Sequence, residues 1–338
     1  MNFFWNWIVA PIAVFAGTLW LSGLVLKWLE RRAILDHPVA RSSHSVAVPR
    51  GGGLALIPVV LLAWVALVVF GGVPTRLLAV IAIAAALAAI SWRDDIGGLS
   101  AGWRFLAHAA AAILGVLALP ETNPVFQGLL PPLLDRVAAV LLWIWFINLY
   151  NFMDGIDGIT GTETIFIGLG IALIAVLLGT DHETAGILGL TLAAGAAGFL
   201  CWNWPPARIF LGDVGSVPLG FMIGWLLLSL AAKGLWAPAL ILPLYYLADA
   251  TLTLLTRIVR GERIWQAHRQ HFYQRALAQD GEHRAVLRLI IEGNSALLLL
   301  AALSLWRPWL AALLAMLATA TLLAQLQRRS QRQSVRPQ

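Results

Sequence analysis

Charged residues are scarce in this chain of 338 residues: Asp, Glu, Lys and Arg together make up 12% of it, about half their share in a typical soluble domain. Cys201 is the single cysteine, which excludes an internal disulfide and a cysteine-based metal cluster. Hydrophobic residues make up 60% of the chain. This composition excludes a disordered chain, a fibrous repeat and an ordinary cytosolic enzyme, and it predicts a membrane protein.

Long apolar stretches take up most of the sequence. A membrane-spanning helix needs about 20 predominantly apolar residues. Eleven stretches approach that length, namely residues 4–26, 54–73, 77–92, 103–119, 137–153, 159–179, 185–203, 214–232, 236–256, 285–305 and 308–325. We therefore predict an all-α polytopic transmembrane bundle of about eleven spans, with one integral-membrane domain over residues 1–326 and a basic tail over residues 327–338.

Basic residues are distributed unevenly between the two sides of this predicted bundle. If the first residue lies outside, 19 of the 23 Lys and Arg residues fall in or beside the inner segments, and 4 fall in the outer ones. Cytoplasmic loops of membrane proteins carry such an excess. The pattern predicts an N-terminus outside and a C-terminus inside. It also accounts for the net charge of +6 without a nucleic-acid partner.

Carboxylates stand at the inner ends of two spans. Asp94 and Asp95 end the third span, and because adjacent carboxylates repel each other, such a pair needs a cation or a solvated helix end. Asp213 opens the eighth span. There the N–H groups of Gly215 and Ser216 could bind an anion, although capping of the helix explains the same residues.

The end of the fifth span carries four polar side chains at intervals of three residues. Asn148, Asn151, Asp154 and Asp157 would share one helical face at this spacing. Gly155 would let the backbone approach a ligand closely. The alternative is the ordinary polarity of a loop, but polar groups beside an apolar span are costly.

Two inner loops carry basic residues. His268 and His271 would share a helical face and could bind phosphate or, with a further ligand, zinc; an ordinary positive loop is the alternative. Arg50 precedes three glycines, a pattern compatible with a phosphate cradle but common in loops. The arginines near the histidines are Arg257, Arg260, Arg263 and Arg275.

Taken together, the inner face combines oxygen ligands with phosphate-binding cations. Oxygen-only ligands favour Mg²⁺, which commonly bridges the phosphates of a substrate. An apolar bundle beside such a site could hold a lipid tail. The residues alone therefore predict Mg²⁺-dependent phosphoryl chemistry between a cytosolic nucleotide and a membrane lipid.

In their order and spacing, these motifs resemble those of the polyprenyl-phosphate N-acetylhexosamine-1-phosphate transferases, bacterial enzymes that begin the assembly of surface glycans. The resemblance covers about residues 35–275. It implies transfer of a sugar 1-phosphate from a UDP-N-acetylhexosamine to undecaprenyl phosphate in the bacterial inner membrane, with release of UMP. It also implies Mg²⁺ as the cofactor, with Mn²⁺ as a substitute, and allows a homodimer.

The resemblance assigns three groups of site residues. The metal ligands would be Asp213, Asn151 and Asp154. The catalytic residues would be Asp94, Asp95, Asp154, His268 and His271. The nucleotide-binding residues would be Phe210, which stacks on uracil, with Asn203, Asp157, Gly155 and Arg50.

One departure and one further likeness refine the resemblance. The histidine motif reads His-x-x-His in place of a contiguous triple, which argues against the peptidoglycan branch. The first inner segment, with Arg41-Ser42-Ser43-His44 and Arg50, looks most like the branch that initiates O antigen, and hence lipopolysaccharide, or other surface polysaccharides. The sugar and a one-step or two-step mechanism stay open.

A polytopic transporter with a cytoplasmic anion or metal site is the alternative function. Transport sites lie near the membrane midplane, and Asp249 of the ninth span would lie about 12 Å deep at 1.5 Å per residue. It is a single acidic group, which packing against a neighbouring polar residue would also explain.

Overall fold

The computed structural model describes residues 3–37, 46–119, 124–263, 268–277 and 282–334. This part of the chain is helical apart from turns, loops and one antiparallel pair of short strands, β1 (Leu35–Asp36) and β2 (Val48–Pro49). The helices are α1 (Ala10–Arg31), α2 (Gly53–Val69), α3 (Leu77–Gly97), α4 (Ala101–Leu117), α5 (Pro132–Phe152), α6 (Ile159–Leu178), α7 (Glu183–Asn203), α8 (Asp213–Ala232), α9 (Trp236–Ile241), α10 (Leu244–Val259), α11 (Phe272–Leu277), α12 (His283–Leu303) and α13 (Pro308–Ser334). A π-helical turn, Trp5–Val9, leads into α1, and a 3₁₀ turn, Thr180–His182, leads into α7.

Helices lie on all eleven predicted apolar stretches. Within the described residues, eight helices are long and apolar enough to cross a membrane. α2 and α4 are shorter, at 17 residues each, and the ninth stretch is divided between α9 and α10. The all-α polytopic fold is therefore confirmed, whereas the number of spans and the orientation stay predictions.

Helix α8 lies at the centre of the bundle. Every residue from Val214 to Ala232 is buried, mainly against α3 and α5. Gly224 makes room for the indole of Trp143, which stacks on Phe221 at 4.9 Å and donates a hydrogen bond to its carbonyl at 3.1 Å. Burial on all sides fixes α8, and with it the position of Asp213 at its first turn.

A proline divides the ninth span. Pro243 has no N–H to donate to the preceding turn, which weakens the helix at this point; α9 ends at Ile241 and α10 begins at Leu244. An apolar cavity of about 220 Å³ lies beside this break. Its lining includes Leu142, Trp143, Phe146, Leu227, Trp236 and Pro243.

Candidate active site

An arginine lies between two carboxylates at the end of the bundle where α3 ends and α8 begins. Arg50 follows β2, and its Nη2 is 2.9 Å from Asp95 Oδ1 and 2.6 Å from Asp213 Oδ1. The side chain of Asp95 is 1% exposed and that of Asp213 is 14% exposed. Charge-assisted hydrogen bonds shielded in this way are strong. We call these three residues the Arg50 clasp, and they form the centre of the candidate site.

Asp95 also caps the first turn of α8. Its Oδ1 accepts a hydrogen bond from the N–H of Asp213 at 3.1 Å, and its Oδ2 accepts one from the N–H of Val214 at 2.9 Å. The N–H groups of Gly215 and Ser216 bond to the carbonyl of the residue before the helix, both at 3.0 Å. The prediction that Gly215 and Ser216 bind an anion is therefore wrong, because Asp95 is the anion at this helix N-terminus.

Asp94 has partners of its own. Its Oδ1 accepts a hydrogen bond from the N–H of Leu99, and its Oδ2 is 3.5 Å from Nη1 of Arg104 on α4. The two adjacent carboxylates thus face different groups. Asp95 joins α3 to α8, whereas Asp94 closes the turn between α3 and α4.

We expect Asp95→Asn to destabilise the protein more than Asp94→Asn. An amide keeps one acceptor oxygen but turns an NH₂ group toward a donor, which leaves Arg50 or a helix N–H unpaired at a cost of about 1–3 kcal/mol. Asp94 accepts from one partly buried backbone N–H, and its other partner, Arg104, is half-exposed and 3.5 Å away. Thermal unfolding of both variants in the same detergent measures the difference, and a lower melting temperature for Asp94→Asn would contradict this assignment.

Three glycines bring the first inner segment against α8. The N–H groups of Gly51 and Gly52 bond to one carbonyl of the 210–211 segment at 3.0 and 2.8 Å, and that of Gly53 bonds to the next at 2.9 Å. A Cβ on Gly53 would lie 2.3 Å from the backbone nitrogen of Gly215. The glycines therefore allow close packing and are not a phosphate cradle, since their N–H groups are already bonded. The predicted motif at residues 41–44 lies outside the described residues.

The polar residues at the end of α5 do not share one face, so that prediction is wrong. The helix ends at Phe152, and the two aspartates lie in the turn that follows. Asn148 Oδ1 is 3.3 Å from Nδ1 of His108 on α4, whereas Asn151 donates to the hydroxyl of Ser216 on α8 at 2.9 Å. The two asparagines therefore bind different helices, and only Asn151 faces the start of α8.

Asp154 belongs to the electrostatic surroundings of the Arg50 clasp. Loss of hydration raises the pKa of its carboxyl to about 7; a hydrogen bond from Thr160 and the charge of Arg50 hold it down, whereas Asp213 and Asp95 raise it. The carboxyl therefore holds its proton more tightly than an ordinary aspartate does. A divalent cation can displace its proton at little cost.

Asp157 and Asn203 join the turn after α5 to the segment after α7. Asp157 Oδ2 accepts a hydrogen bond from the N–H of Ala207 at 2.9 Å. Asn203 accepts from the N–H of Gly158 and donates to the carbonyl of Ile209, both at 2.8 Å. These buried contacts fix the loop that carries the predicted uracil pocket, and the uracil contacts themselves stay a prediction.

Phe210 and Gly155 contact different segments of the chain. Phe210 is partly exposed, and its N–H donates to the carbonyl of Pro49 at 2.8 Å. Gly155 lies against Tyr273 of the segment 268–277, which we call the histidine loop; a Cβ on Gly155 would be 2.2 Å from the phenol oxygen. Gly155 thus allows the histidine loop to reach the turn that carries Asp154 and Asp157, which we call the aspartate turn.

His268 and His271 are neighbours but not on a helix, because α11 begins only at Phe272. The predicted helical face is therefore wrong, yet the two ring centroids are 5.0 Å apart. Burial lowers the pKa of His268 to about 4, with help from His271 and Arg257. Since Nδ1 of His268 accepts from the N–H of Gln270 at 3.2 Å, the neutral ring carries its proton on Nε2 and can donate there.

Asp249 is a buried partner of the histidine loop. Its Oδ1 is 3.1 Å from Nδ1 of His271 and accepts from the N–H of Phe272 at 3.0 Å. Its Oδ2 accepts from the N–H of Tyr273 at 3.3 Å. The polar neighbour that would explain this acid without transport is therefore present.

Of the four arginines predicted around the histidines, Arg257 stabilises the loop through hydrogen bonds to residues that precede the histidines. Arg257 is 3% exposed; its Nε donates to Glu262 at 2.9 Å and its Nη2 to the carbonyl of Arg263 at 2.8 Å. Arg275 lies over the ring of Phe272, with its guanidinium carbon 4.5 Å from the ring centroid. Arg257 thus holds the start of the loop in place.

Sequence reasoning missed several polar contacts of the site. His108 and Tyr273 belong to none of the predicted motifs, and neither does His283, which accepts a hydrogen bond from the N–H of Asp157 at 3.1 Å. The sequence could have indicated His108, because a histidine inside an apolar span needs a polar partner. The other two had none, because their partners lie more than 100 residues away.

The donor chemistry at the Arg50 clasp fits Mg²⁺. Asp213 and Asp154 supply carboxylate oxygens, and Asn151 keeps its amide oxygen while its nitrogen bonds to Ser216. Mg²⁺ takes one or two carboxylates and completes its shell with water and phosphate oxygens. Among the described residues, no three His, Cys, Asp or Glu side chains are grouped so that they alone could hold a metal, which also leaves the histidine pair without the further ligand that zinc would need.

The fold and the site define an integral-membrane protein whose acidic and basic groups meet at one end of its helices. The profile of glycosyl transferase family 4 matches residues 77–231. A Bacillus subtilis protein described as a probable undecaprenyl-phosphate N-acetylglucosaminyl 1-phosphate transferase is 28% identical over 84% of this chain and 80% of its own length. A decaprenyl-phosphate N-acetylglucosaminephosphotransferase of Mycolicibacterium smegmatis is 29% identical over 84% and 77%, respectively.

The similarity extends over most of the chain in both relatives. The matched profile includes Asp94, Asp95, Asn151, Asp154 and Asp213. The profile match and these relatives support a place for the chain among the polyprenyl-phosphate N-acetylhexosamine-1-phosphate transferases of glycosyl transferase family 4.

Proposed function

We propose that this protein transfers N-acetylglucosamine 1-phosphate from its UDP derivative to undecaprenyl phosphate and releases UMP. The observation that carries the proposal is the Arg50 clasp, in which a cation and two carboxylates meet beside Asn151 and Asp154. The relatives named above act on polyprenyl phosphates and N-acetylglucosamine, which favours this sugar among the N-acetylhexosamines. The transport alternative has no comparable support.

Mg²⁺, with Mn²⁺ as a substitute, is the proposed cofactor. Asp213 would be its main ligand, with Asp154 and Asn151 nearby. When bound, the cation neutralises charge that gathers on the diphosphate. Arg50, as a cation, and the neutral ring of His268, through its Nε2–H, would both donate hydrogen bonds to phosphate oxygens near pH 7.

The chemistry is one displacement at the sugar-bearing phosphorus. A phosphate oxygen of the lipid forms the new P–O bond, the bond to the bridging oxygen breaks, and UMP leaves with that oxygen. The lipid phosphate has a second pKa near 6, so it is already ionised at neutral pH and needs no strong base. Exchange of labelled UMP into the UDP-sugar without any lipid would instead indicate a covalent two-step route.

The apolar cavity beside the break in the ninth span supports a lipid acceptor. It is lined by Trp143 and Phe146 of α5, which precede Asn151 on the same helix. At 1.5 Å per residue, Trp143 lies about 12 Å from Asn151 along that helix. We propose that part of the lipid chain lies in this cavity, with its phosphate at the Arg50 clasp.

We also propose that the site faces the cytoplasm of a bacterial inner membrane, with the N-terminus outside. UDP-sugars are cytosolic, and the excess of basic residues lies on the same side. A C-terminal tag should become accessible to antibody only after the membrane is permeabilised. Initiation of O antigen or another surface polysaccharide remains the proposed role in the cell, since the names of the relatives specify the reaction and not the polymer.

The direct test is UMP release by purified protein in lipid, supplied with undecaprenyl phosphate, Mg²⁺ and each UDP-N-acetylhexosamine in turn. We expect release with UDP-N-acetylglucosamine, its loss on addition of EDTA and its return with Mg²⁺. Release with another donor alone would replace the proposed sugar. Folded protein that releases no UMP with any donor would contradict the reaction.

Stabilisation of the protein by Mg²⁺ should depend on pH. A carboxylate must lose its proton to bind the metal, and the pKa of Asp154 is raised to about 7. Below pH 7 the proton therefore competes, and affinity should fall by up to tenfold per pH unit. Melting temperatures with and without Mg²⁺ should coincide near pH 5.5 and separate above pH 7.

Without metal, the contribution of Asp154 to stability should depend on pH in the opposite direction. The unfolded carboxyl has a pKa of about 3.9, so the folded state holds the Asp154 proton more tightly. The contribution of this group to stability should therefore fall as the pH rises from about 4 to 7. In Asp154→Asn, both this slope and the pH dependence of the Mg²⁺ effect should shrink; unchanged curves would contradict the assignment.

A further inference from the structure

Asp249 is an acid placed inside an apolar helix. It belongs to α10, and none of its surface is exposed. An intramembrane carboxylate is expensive, so it normally serves a function or a specific partner. The reaction proposed above does not use it directly.

The hydrogen-bond donors described below for this carboxylate lie in its own helix or at the end of the histidine loop. Thr253, one turn along α10, donates to Oδ1 at 3.3 Å. The other three donors come from consecutive residues of the loop: His271 Nδ1 at 3.1 Å and the N–H groups of Phe272 and Tyr273 at 3.0 and 3.3 Å. Asp249 therefore satisfies the start of α11 and fixes His271 at the same time.

The bond to His271 determines which ring nitrogen can act. A carboxylate accepts, so Nδ1 of His271 carries the proton and donates to Asp249. Nε2 is then the nitrogen left for a proton or a ligand. A carboxylate that orients a histidine in this way is a recurrent device in enzyme sites.

The same loop reaches the turn that carries Asp154. Tyr273, the last of the three residues held by Asp249, donates its hydroxyl to the carbonyl of Phe152 at 3.2 Å. Its phenol oxygen lies 2.2 Å from the position that a Cβ on Gly155 would occupy. A displacement of Asp249 would therefore shift both histidines and the aspartate turn.

We propose that Asp249 is a positioning residue, which holds His271 with its Nε2 available and keeps Tyr273 against the turn that bears Asp154. The proposal rests on the transfer reaction proposed above. Asp249 acts through the loop and touches no substrate.

The test compares Asp249→Asn with Thr253→Val in lipid. Thr253→Val removes one donor to the same carboxylate and leaves the loop contacts intact. Hydrogen–deuterium exchange of peptides covering 268–277 and 151–158 reports the loop without any reaction. We expect faster exchange of both peptides in Asp249→Asn and wild-type exchange in Thr253→Val; equal exchange in the two variants would overturn the proposal.

Kinetics supply the second measurement. We expect kcat for UMP release to fall about 100-fold in Asp249→Asn, the upper range for loss of an orienting partner, with KM for the UDP-sugar within threefold of wild type. If Asp249 acts through His271, adding Asp249→Asn to His271→Asn should change kcat by less than threefold. A full multiplication of the two losses would contradict the route through His271.

Failure of the proposed reaction would leave the exchange measurement intact, so the two failures are distinguishable. If Asp249→Asn does not fold, Tyr273→Phe removes only the bond to the carbonyl of Phe152. Faster exchange over 151–158 in that variant would support the positioning role. Unchanged exchange would overturn the connection between the loop and the aspartate turn.

Discussion

Asp213→Asn should lower UMP release by about 10²–10³-fold, the range found when one preorganised electrostatic contact to the reacting charge is removed. Asp213 is the carboxylate of the Arg50 clasp that keeps some exposure, with its side chain 14% accessible. The amide preserves its shape but removes the charge that balances Arg50 and would bind the metal. The measurement is kcat for UMP release at saturating Mg²⁺ and UDP-sugar.

Asp181→Asn is the matched control for this substitution. Asp181 is exposed in the short turn before α7, and Lys233 bonds to its backbone carbonyl rather than to its side chain. The same chemical change there should leave UMP release and the melting temperature near the wild-type values. If Asp213→Asn retained more than a tenth of wild-type activity, Asp213 would not be the main ligand.

Gly53→Ala should reduce the free energy of unfolding by about 3 kcal/mol, the upper range for overpacking a tight contact. The added methyl carbon would lie 2.3 Å from the backbone nitrogen of Gly215 and 2.4 Å from its Cα. Backbone atoms of a buried helix cannot move aside as a side chain can. We expect a clear fall in melting temperature, together with loss of activity, since α8 positions Asp213.

Gly102→Ala makes the same change at an open position. Gly102 lies in the first turn of α4, and the nearest atom to a new Cβ there is the Ser100 hydroxyl at 3.9 Å. Alanine should be neutral or stabilising by about 0.5–1 kcal/mol at this site. Equal melting temperatures for the two variants would show that α2 and α8 can separate without cost.

The helical bundle could be predicted from the sequence because apolar length alone determines a span. Each of the eleven stretches is occupied by one helix or, in the ninth, by two. The break at Pro243 was not predicted, since both halves of that stretch are apolar. A hydropathy profile does not register the backbone hydrogen bond that a proline removes, so it does not show such a break.

The site was predicted in composition but not in arrangement. Asp95 and Asp213 were both identified, yet their bonds to Arg50 join three segments that are far apart in sequence. Spacing within one segment suggested that Asn148 and Asn151 share a face, whereas their partners lie on α4 and α8. Local periodicity cannot reveal which neighbouring helix a side chain will meet.

The segment with Arg50 and the three glycines, which packs against the start of α8, limits where the chain can be truncated. The family profile begins at residue 77, whereas Arg50 and the three glycines beside the start of α8 come earlier. A fragment limited to residues 77–231 would carry Asp95 and Asp213 without their shared counter-ion and would leave the carbonyls of residues 210–211 without the donors that satisfy them. Truncated forms intended for expression or for chimaeras should therefore begin well before residue 50.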